Sequence, residues 1–352
     1  MEDGNVDLYL SKDSEYPGSN ELINLMLDST LSSPQTWFSY ITQQYYECMI
    51  PLLSQILFNH YLNFYPCILF RLLVFCNPFH QQYTFINHAF AGLAGTLVLW
   101  LQFESQIVVL LVETWIGYVI IRFFDRHRGI IMALVSVCYL MLCEFEIIYL
   151  ESWQRLRGIE MVLAMKLIAL AVDVDSKEVH LPISPMQCFG YCNFVGTAIF
   201  GPFMTYNDYQ RCIFNRRIDL RWSYAICKSL ILGFICLIIS TCVSSGLREH
   251  SNNNKWIIAW LSALSFRFSH YFVCLTSEAT SLASGYFNEP HEDNESLDWQ
   301  HEVVKPSRIE LPRSLVEVVI YWNMPIHWML KKCKITLQFF FAYFESSIVR
   351  IL

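Results

Sequence analysis

Apolar residues run through this chain in long blocks, not in strict alternation and not in sustained heptads. From Cys48 onward the blocks recur at about 48 to 76, 83 to 102, 106 to 124, 129 to 150, 159 to 174, 186 to 204, 224 to 245, 256 to 284, 315 to 330 and 334 to 352. A helix needs about 20 mostly apolar residues to cross a bilayer, so the pattern predicts an all-α fold: a polytopic membrane bundle of about 8 to 10 spanning or broken helices. Pro51, Pro66, Pro202 and Pro325 fall inside the blocks. A missing N–H there kinks or breaks a helix, which is tolerated at membrane depth only where protein or a cavity surrounds it. Residues 47–352 read as one membrane domain, and residues 1–46 as a polar, disordered tail.

Composition agrees with that reading. Of the 352 residues, 54% are hydrophobic, 16% aromatic and only 16% charged, which is wrong for a soluble domain of this size. The net charge of −7 resides in the polar termini and loops, with Glu2, Asp3, Asp7, Asp13, Glu15, Glu21 and Asp28 against Lys12 ahead of the first block. Nothing in this balance suits nucleic acid. No basic leader precedes an early apolar core, so no cleavable signal peptide is expected and the first span would serve as the targeting signal. The thirteen cysteines lie mostly in or beside apolar runs without CxxC spacing, which argues against zinc and against a disulfide scaffold. Cys188 and Cys192 read as two small hydrophobes on one helix face. The basic stretches Arg122–Arg128 and Arg211–Arg221 read as cytosolic loops, and the second would also suit a phosphate-bearing cosubstrate. The loop from Tyr286 to Arg308 carries one glycosylation sequon, at Asn294.

Among the charged residues inside the apolar blocks, Glu113, Glu144, Glu146, Lys166 and Glu278 each call for an explanation. A charge at the centre of a spanning helix costs about 2.5 to 3.5 kcal/mol on insertion scales, so each is expected to face the bundle interior. Lys166 and Asp173, two helical turns apart, can share one face and stay off the lipid. Asp173 and Asp175 form a DxD triplet, read here as a polar helix end beside a cytosolic loop in preference to a metal site. The pairs His291-Glu292 and His301-Glu302 lack the second histidine of a zinc protease helix. Walker, GxGxxG and GxSxG motifs are missing as well, so any catalysis must rest on groups inside the bundle.

The most informative segment is Glu310–His327, ELPRSLVEVVIYWNMPIH, an apolar helical run that carries Trp322 and Asn323 and is broken at Pro325. An unpaired buried amide costs roughly 1 to 3 kcal/mol, so Asn323 is either a helix-to-helix hydrogen bond or part of a site. Four stretches carry a resemblance: RGIEMVLAMKLIALAVDVD (Arg157–Asp175), SPMQCFGYCNFVGTAIFGPFMTYNDY (Ser184–Tyr209), ALSFRFSHYFVCLTSEATSLASG (Ala263–Gly285) and IELPRSLVEVVIYWNMPIHWML (Ile309–Leu330). In this order they resemble the membrane-bound O-acyltransferase family, in its branch that attaches palmitoleate to a serine of Wnt proteins. The resemblance runs from about Tyr45 to Leu330.

The resemblance implies a multi-pass enzyme of the endoplasmic reticulum membrane whose tilted helices surround a tunnel. Acyl-CoA, palmitoleoyl-CoA in particular, would enter from the cytosol and the Wnt serine from the lumen. No bound cofactor or metal is implied; the partners are Wnt protein, acyl-CoA and membrane lipid. Asn323 matches the family's catalytic Asn, and Trp322 the neighbouring Trp that looks towards the acyl chain. Gly196, Thr197, Phe200, Gly201 and Pro202 match a VGTxxFGP segment assigned to the acyl-CoA tunnel, where Gly permits close helix approach and Pro frees carbonyls near a cavity.

The family's catalytic His lies roughly thirty-five residues beyond the Asn, in a serine-rich helix. This chain ends at Leu352, with Ser346 and Ser347 echoing the serine and Arg350 near the His position. An arginine, with pKa above about 12, cannot act as a base at neutral pH. His327, one turn past Asn323, is the nearby histidine, with Pro325 disturbing the helix between them. The expectation for residues 1–352 alone is therefore no turnover, whether they represent an incomplete gene product, a splice form or a non-catalytic paralogue that binds Wnt or acyl-CoA.

Overall fold

The computed structural model describes residues 64–76, 84–147, 150–199, 201–214, 218, 220–249, 254–286 and 302–331. The tail at 1–46, the block at 334–352, the sequon at Asn294, Phe200, Ser346, Ser347, Arg350 and the Glu146 side chain lie outside the described residues. Among the described residues every regular element is helical. Four helical stretches are long and apolar enough to cross a membrane: Thr84–Phe123, Arg128–Phe145, Leu220–Arg248 and Lys255–Ala283.

Helix α1 spans Phe64–Cys76. Pro66 lies two residues into the described part of this helix. Helices α2 (Thr84–Phe103) and α3 (Ile107–Phe123) are separated by a short 3₁₀ turn, at which Glu104 takes a left-handed φ of 49°. Helix α4 (Arg128–Leu142) follows the exposed basic loop, after His127 at φ 60°. Its start is tied to the end of α5 (Leu150–Asp175): the Gly129 N–H donates to Asp175 Oδ2 at 3.0 Å, and Arg128 lies 3.7 Å from the same carboxylate. Asp175 of the DxD triplet is thus a tether between two helix ends, in keeping with the structural reading of that motif. Helix α5 begins well before the apolar block that announced it, because Trp153 and Leu156 are buried and extend its packed face.

The block at 186 to 204 departs from expectation. It is not a spanning helix but an eight-residue helix, α6 (Pro185–Cys192), followed by a 3₁₀ turn at Val195–Thr197 and extended chain from 201 to 205. Ser184 and Gln187 close a capping box at its start, with Pro185 in the first turn. Close approach to α2 explains why it stops: a Cβ on Gly95 would fall on the Asn193 carbonyl, so the backbone bends where no side chain stands in the way. Around this bend the rings of Tyr191, Phe194, Tyr206 and Tyr209 pack together, and the Tyr209 hydroxyl meets His88 Nδ1 at 2.8 Å.

The remaining elements are α7 (Tyr206–Phe214), α8 (Leu220–Ile238), a π turn at Ile239–Val243, α9 (Ser244–Glu249), α10 (Lys255–Ala283), α11 (Pro306–Glu310), α12 (Leu315–Trp322) and α13 (residues 324–331). Helices α8 and α10 form the most extensive helix pair, α4 with α5 and α2 with α6 the next. Outward faces carry Leu97, Trp115, Ile231 and Trp260, the large apolar side chains that a lipid-facing surface requires. Ten described cysteines are free thiols, while Cys242 is disulfide-bonded.

Of the charged residues singled out in the apolar blocks, Glu113 and Lys166 are buried and Glu144 and Glu278 partly buried. The ammonium of Lys166 donates to Thr197 Oγ1 at 2.7 Å and to the Cys192 and Tyr191 carbonyls at 3.2 and 3.4 Å. Its hydrogen bonds therefore run to the bend after α6 instead of to Asp173, although both residues are buried as expected. Glu113 of α3 meets Glu160 of α5, with Ser136 of α4 beside them. None of the four carboxyl oxygens accepts a well-formed hydrogen bond from a described residue. A buried acceptor without a donor costs about 1 to 3 kcal/mol, so this contact is a local weakness of the bundle. Replacing Glu160 by Gln supplies an N–H donor to Glu113, and the melting temperature of the detergent-solubilised protein is expected to rise by a few degrees. A fall in a thermal-shift measurement would show that the pair is stabilising as it stands.

Candidate functional site

The segment Glu310–His327 folds into two half-helices around a break, and each end of the break is capped by its own sequence. Ser314 caps α12 by accepting from the Glu317 N–H at 3.3 Å, and the Glu317 carboxylate accepts from the Arg313 N–H at 2.9 Å. Pro325 has no N–H to give to Tyr321, and the Lys305 N–H takes its place at 3.2 Å. The Met324 N–H turns to the Val303 carbonyl at 3.0 Å. Asn323, in extended backbone at φ −153°, acts as the N-cap of α13: its Oδ1 accepts from the Ile326 N–H at 3.3 Å and its carbonyl from the His327 N–H at 3.1 Å. The Trp322 carbonyl lies 3.0 Å from His270 Nε2. The Tyr321 and Trp322 carbonyls and the Met324 and Ile326 N–H groups, which an unbroken helix would have paired differently, thus each meet another partner, as a break at membrane depth requires.

Asn323 has a structural role in this geometry, as the cap of α13. Its oxygen is spent on capping, so the Nδ2 amide is the part of the side chain left to donate. Trp322 is half-buried and stacked on the imidazole of His270, with ring centroids 4.1 Å apart and planes within 4°, and Phe266 lies beyond at 6.2 Å. The indole is therefore held by protein on one face. A clamp below fixes the whole segment to α10. Arg267 donates to both oxygens of Glu310 at 2.8 and 3.1 Å, and the Tyr271 hydroxyl donates to Oε1 at 2.8 Å. Two turns further along α10, Glu278 accepts from Ser229 of α8 at 2.6 Å and from the Val303 N–H at 3.4 Å.

The second predicted cluster sits in the bend after α6. Gly196 packs so closely on Ser284 of α10 that no side chain fits, and Gly201 has the same relation to Thr197. Thr197, Gly201 and Pro202 are buried. A cavity of about 10 Å³, room for a single water, lies against Lys166, Cys192, Asn193, Thr197 and Ala198. A larger apolar cavity of about 210 Å³ lies between α3 and α6, lined by Leu111, Trp115, Tyr118, Met186 and Phe189. Neither cavity is lined by Trp322 or Asn323. Among the described residues no hydrogen bond joins Asn323 to Gly196, Thr197, Gly201 or Pro202; the two clusters approach through Met329 of α13, which packs on Phe203 and Ala169. His327 follows Asn323 on α13, half-buried, with its ring against Trp328 at 6.0 Å.

His270 is the residue that sequence reasoning passed over. The signal was present: Arg267, His270, Tyr271, Cys274 and Glu278 recur every three or four residues along α10, a polar stripe on an otherwise apolar helix. Chemically, the site offers an amide donor at a helix break, an imidazole stacked on an indole, and a serviceable route for hydrogen bonds between α10 and α12. An amide N–H aimed at a developing oxyanion is the kind of group that acyl transfer uses.

No protein-family profile matches the chain. It is 32% identical over 320 residues to the protein-serine O-palmitoleoyltransferase porcupine of Homo sapiens, covering 85% of this chain and 67% of the human protein. The Drosophila melanogaster porcupine is 29% identical over 187 residues, 52% of this chain and 35% of that protein. The lysophospholipid acyltransferase 1 of Arabidopsis thaliana is 22% identical over 286 residues, 70% of this chain and 62% of that protein.

Two measurements check this geometry. Asn323→Asp keeps an oxygen at the cap and should leave thermal stability near that of the parent, whereas Asn323→Ala should cost about 1 kcal/mol; equal losses would show that Oδ1 does not cap α13. Burial raises the Glu310 carboxyl, but the hydrogen bonds from Arg267 and Tyr271 outweigh it and hold it below the usual carboxylate range. The contribution of the clamp is therefore complete above the unfolded carboxylate value and is lost as pH falls through the depressed folded value. Glu310→Gln should remove that acid-side component from a plot of melting temperature against pH.

Proposed function

The chain belongs to the porcupine family of membrane-bound O-acyltransferases, and from that premise we propose that it is a multi-pass enzyme of the endoplasmic reticulum membrane that transfers a monounsaturated fatty acyl group from acyl-CoA to a serine of Wnt proteins. Residues 47–352 fall within its acyltransferase domain, and palmitoleoyl-CoA is its donor. In this reading the serine hydroxyl adds to the thioester carbon while a general base takes its proton. The tetrahedral oxyanion collapses, the carbon–sulfur bond breaks, and the CoA thiolate leaves and recovers a proton as the serine ester forms. Asn323 is the donor to the thioester carbonyl oxygen, and Trp322 flanks the acyl chain on the indole face away from His270. Gly196, Thr197, Phe200, Gly201 and Pro202 line the approach of acyl-CoA.

The observation that carries the reading is the committed Oδ1 of Asn323, which leaves Nδ2 to donate from a fixed helix break. The test uses membranes containing the complete product of the gene, with residues 1–352 in parallel, alkyne-tagged palmitoleoyl-CoA, and a Wnt peptide with one acceptor serine. Hydroxylamine-sensitive label on that serine is expected from the complete product, and Asn323→Asp should lower the rate by about 10² to 10³-fold. Binding of tagged acyl-CoA with no label on the peptide would replace this reading with that of a non-catalytic acyl-CoA-binding or Wnt-binding protein.

A further inference from the structure

We propose that His270 is a positioning residue that sets the direction of the Asn323 amide by donating to the carbonyl of the preceding residue, an inference that rests on the assignment of Asn323 as the amide donor. A carbonyl oxygen can only accept, so the 3.0 Å contact between His270 Nε2 and Trp322 O requires the hydrogen on Nε2. In an unbroken helix that carbonyl would accept from the N–H of the residue four positions later, Ile326. Here the Ile326 N–H is turned away, to Asn323 Oδ1 at 3.3 Å. With Asn323 extended at φ −153°, the Trp322 carbonyl is turned to His270 and the Ile326 N–H to Asn323 Oδ1. While His270 holds that carbonyl in the extended arrangement, the Ile326 N–H is out of its reach and the Asn323 side chain supplies the acceptor.

Removing the imidazole donor reverses the choice. An unsatisfied carbonyl in apolar surroundings would recapture the Ile326 N–H, the chain at Asn323 would move from extended towards helical backbone, and Oδ1 would be released. The amide then loses the anchor that aims Nδ2. Stacking of the His270 ring on Trp322 at 4.1 Å fixes the imidazole over the carbonyl, and Cys274 Sγ lies 3.4 Å from the same nitrogen on its other side. The histidine acts through Asn323 and does not itself take a proton from substrate.

Three variants and two readouts test this. His270→Phe keeps an aromatic ring on the indole and has no donor; His270→Asn has a donor and no aromatic ring. Thermal stability supplies a readout that needs no turnover. Asn323→Ala should lower the melting temperature of the parent and leave that of His270→Phe unchanged, because in that background the cap is already released. Equal falls in both backgrounds overturn the proposal, whatever the activity of the protein. In the acyl transfer assay, His270→Phe should lower kcat at least tenfold with the KM for acyl-CoA unchanged, and His270→Asn should recover most of it. Unaltered kcat in His270→Phe, or equal losses in the Phe and Asn variants, would overturn it as well. Absence of transfer by the complete gene product would count against the proposed function, and the stability cycle would still decide the role of His270.

Discussion

No backbone group inside an apolar bundle can be left without a partner, and the candidate site exists because two interruptions of the helices meet that demand with side chains from long neighbours. At the first, the bend from Asn193 to Thr205, Lys166 of α5 gathers the Tyr191 and Cys192 carbonyls and the Thr197 hydroxyl. At the second, around Asn323 and Pro325, His270 of α10 serves the Trp322 carbonyl while residues 303 and 305 serve Met324 and Tyr321. Water could satisfy such groups in a soluble protein at little cost. In a membrane bundle each break needs a named donor, so irregular chain and polar side chains are placed together.

That pairing explains why charges inside the apolar blocks differ in their surroundings. Lys166 and Glu278 each hold backbone groups that have no helical partner: carbonyls for the ammonium, the Val303 N–H for the carboxylate. Glu113 and Glu160 hold no such group and face one another instead. The first two charges are part of the architecture of the bends. The second two are not, which is why only they are read as a place where the bundle could be made more stable.

The proposed function draws on the same constraint. An asparagine within an unbroken helix would have its amide directed by packing alone, free to exchange rotamers. Asn323 is instead tied by one atom to the start of α13, while the end of α11, just ahead of α12, is clamped to α10 by Arg267, Tyr271 and Glu310. A donor fixed in this way needs no reorganisation when charge develops opposite it, which is the economy that acyl transfer in a water-poor site depends on.

Much of this was legible in the residues. The apolar blocks announced the long helices α2, α3, α8 and α10, because length and hydropathy are local properties that lipid reads directly. Pro325 beside Asn323 announced a broken helix with a polar group at the break, since the missing N–H is a property of the residue itself. The block at 186 to 204 had the hydropathy of a span and folded as a short helix and a bend, because the deciding contact, Gly95 against the Asn193 carbonyl, joins residues almost a hundred positions apart. The partner of Lys166 was likewise set by tertiary packing: the same helix offered Asp173, and the bend offered better-placed oxygens. His270 stood in a readable polar stripe, yet its meaning depended on which carbonyl the fold would bring above it. Periodicity and covalent chemistry act along the chain and can be read there, whereas the pairing of a freed donor or acceptor is decided by whatever the folded bundle sets within three ångströms of it.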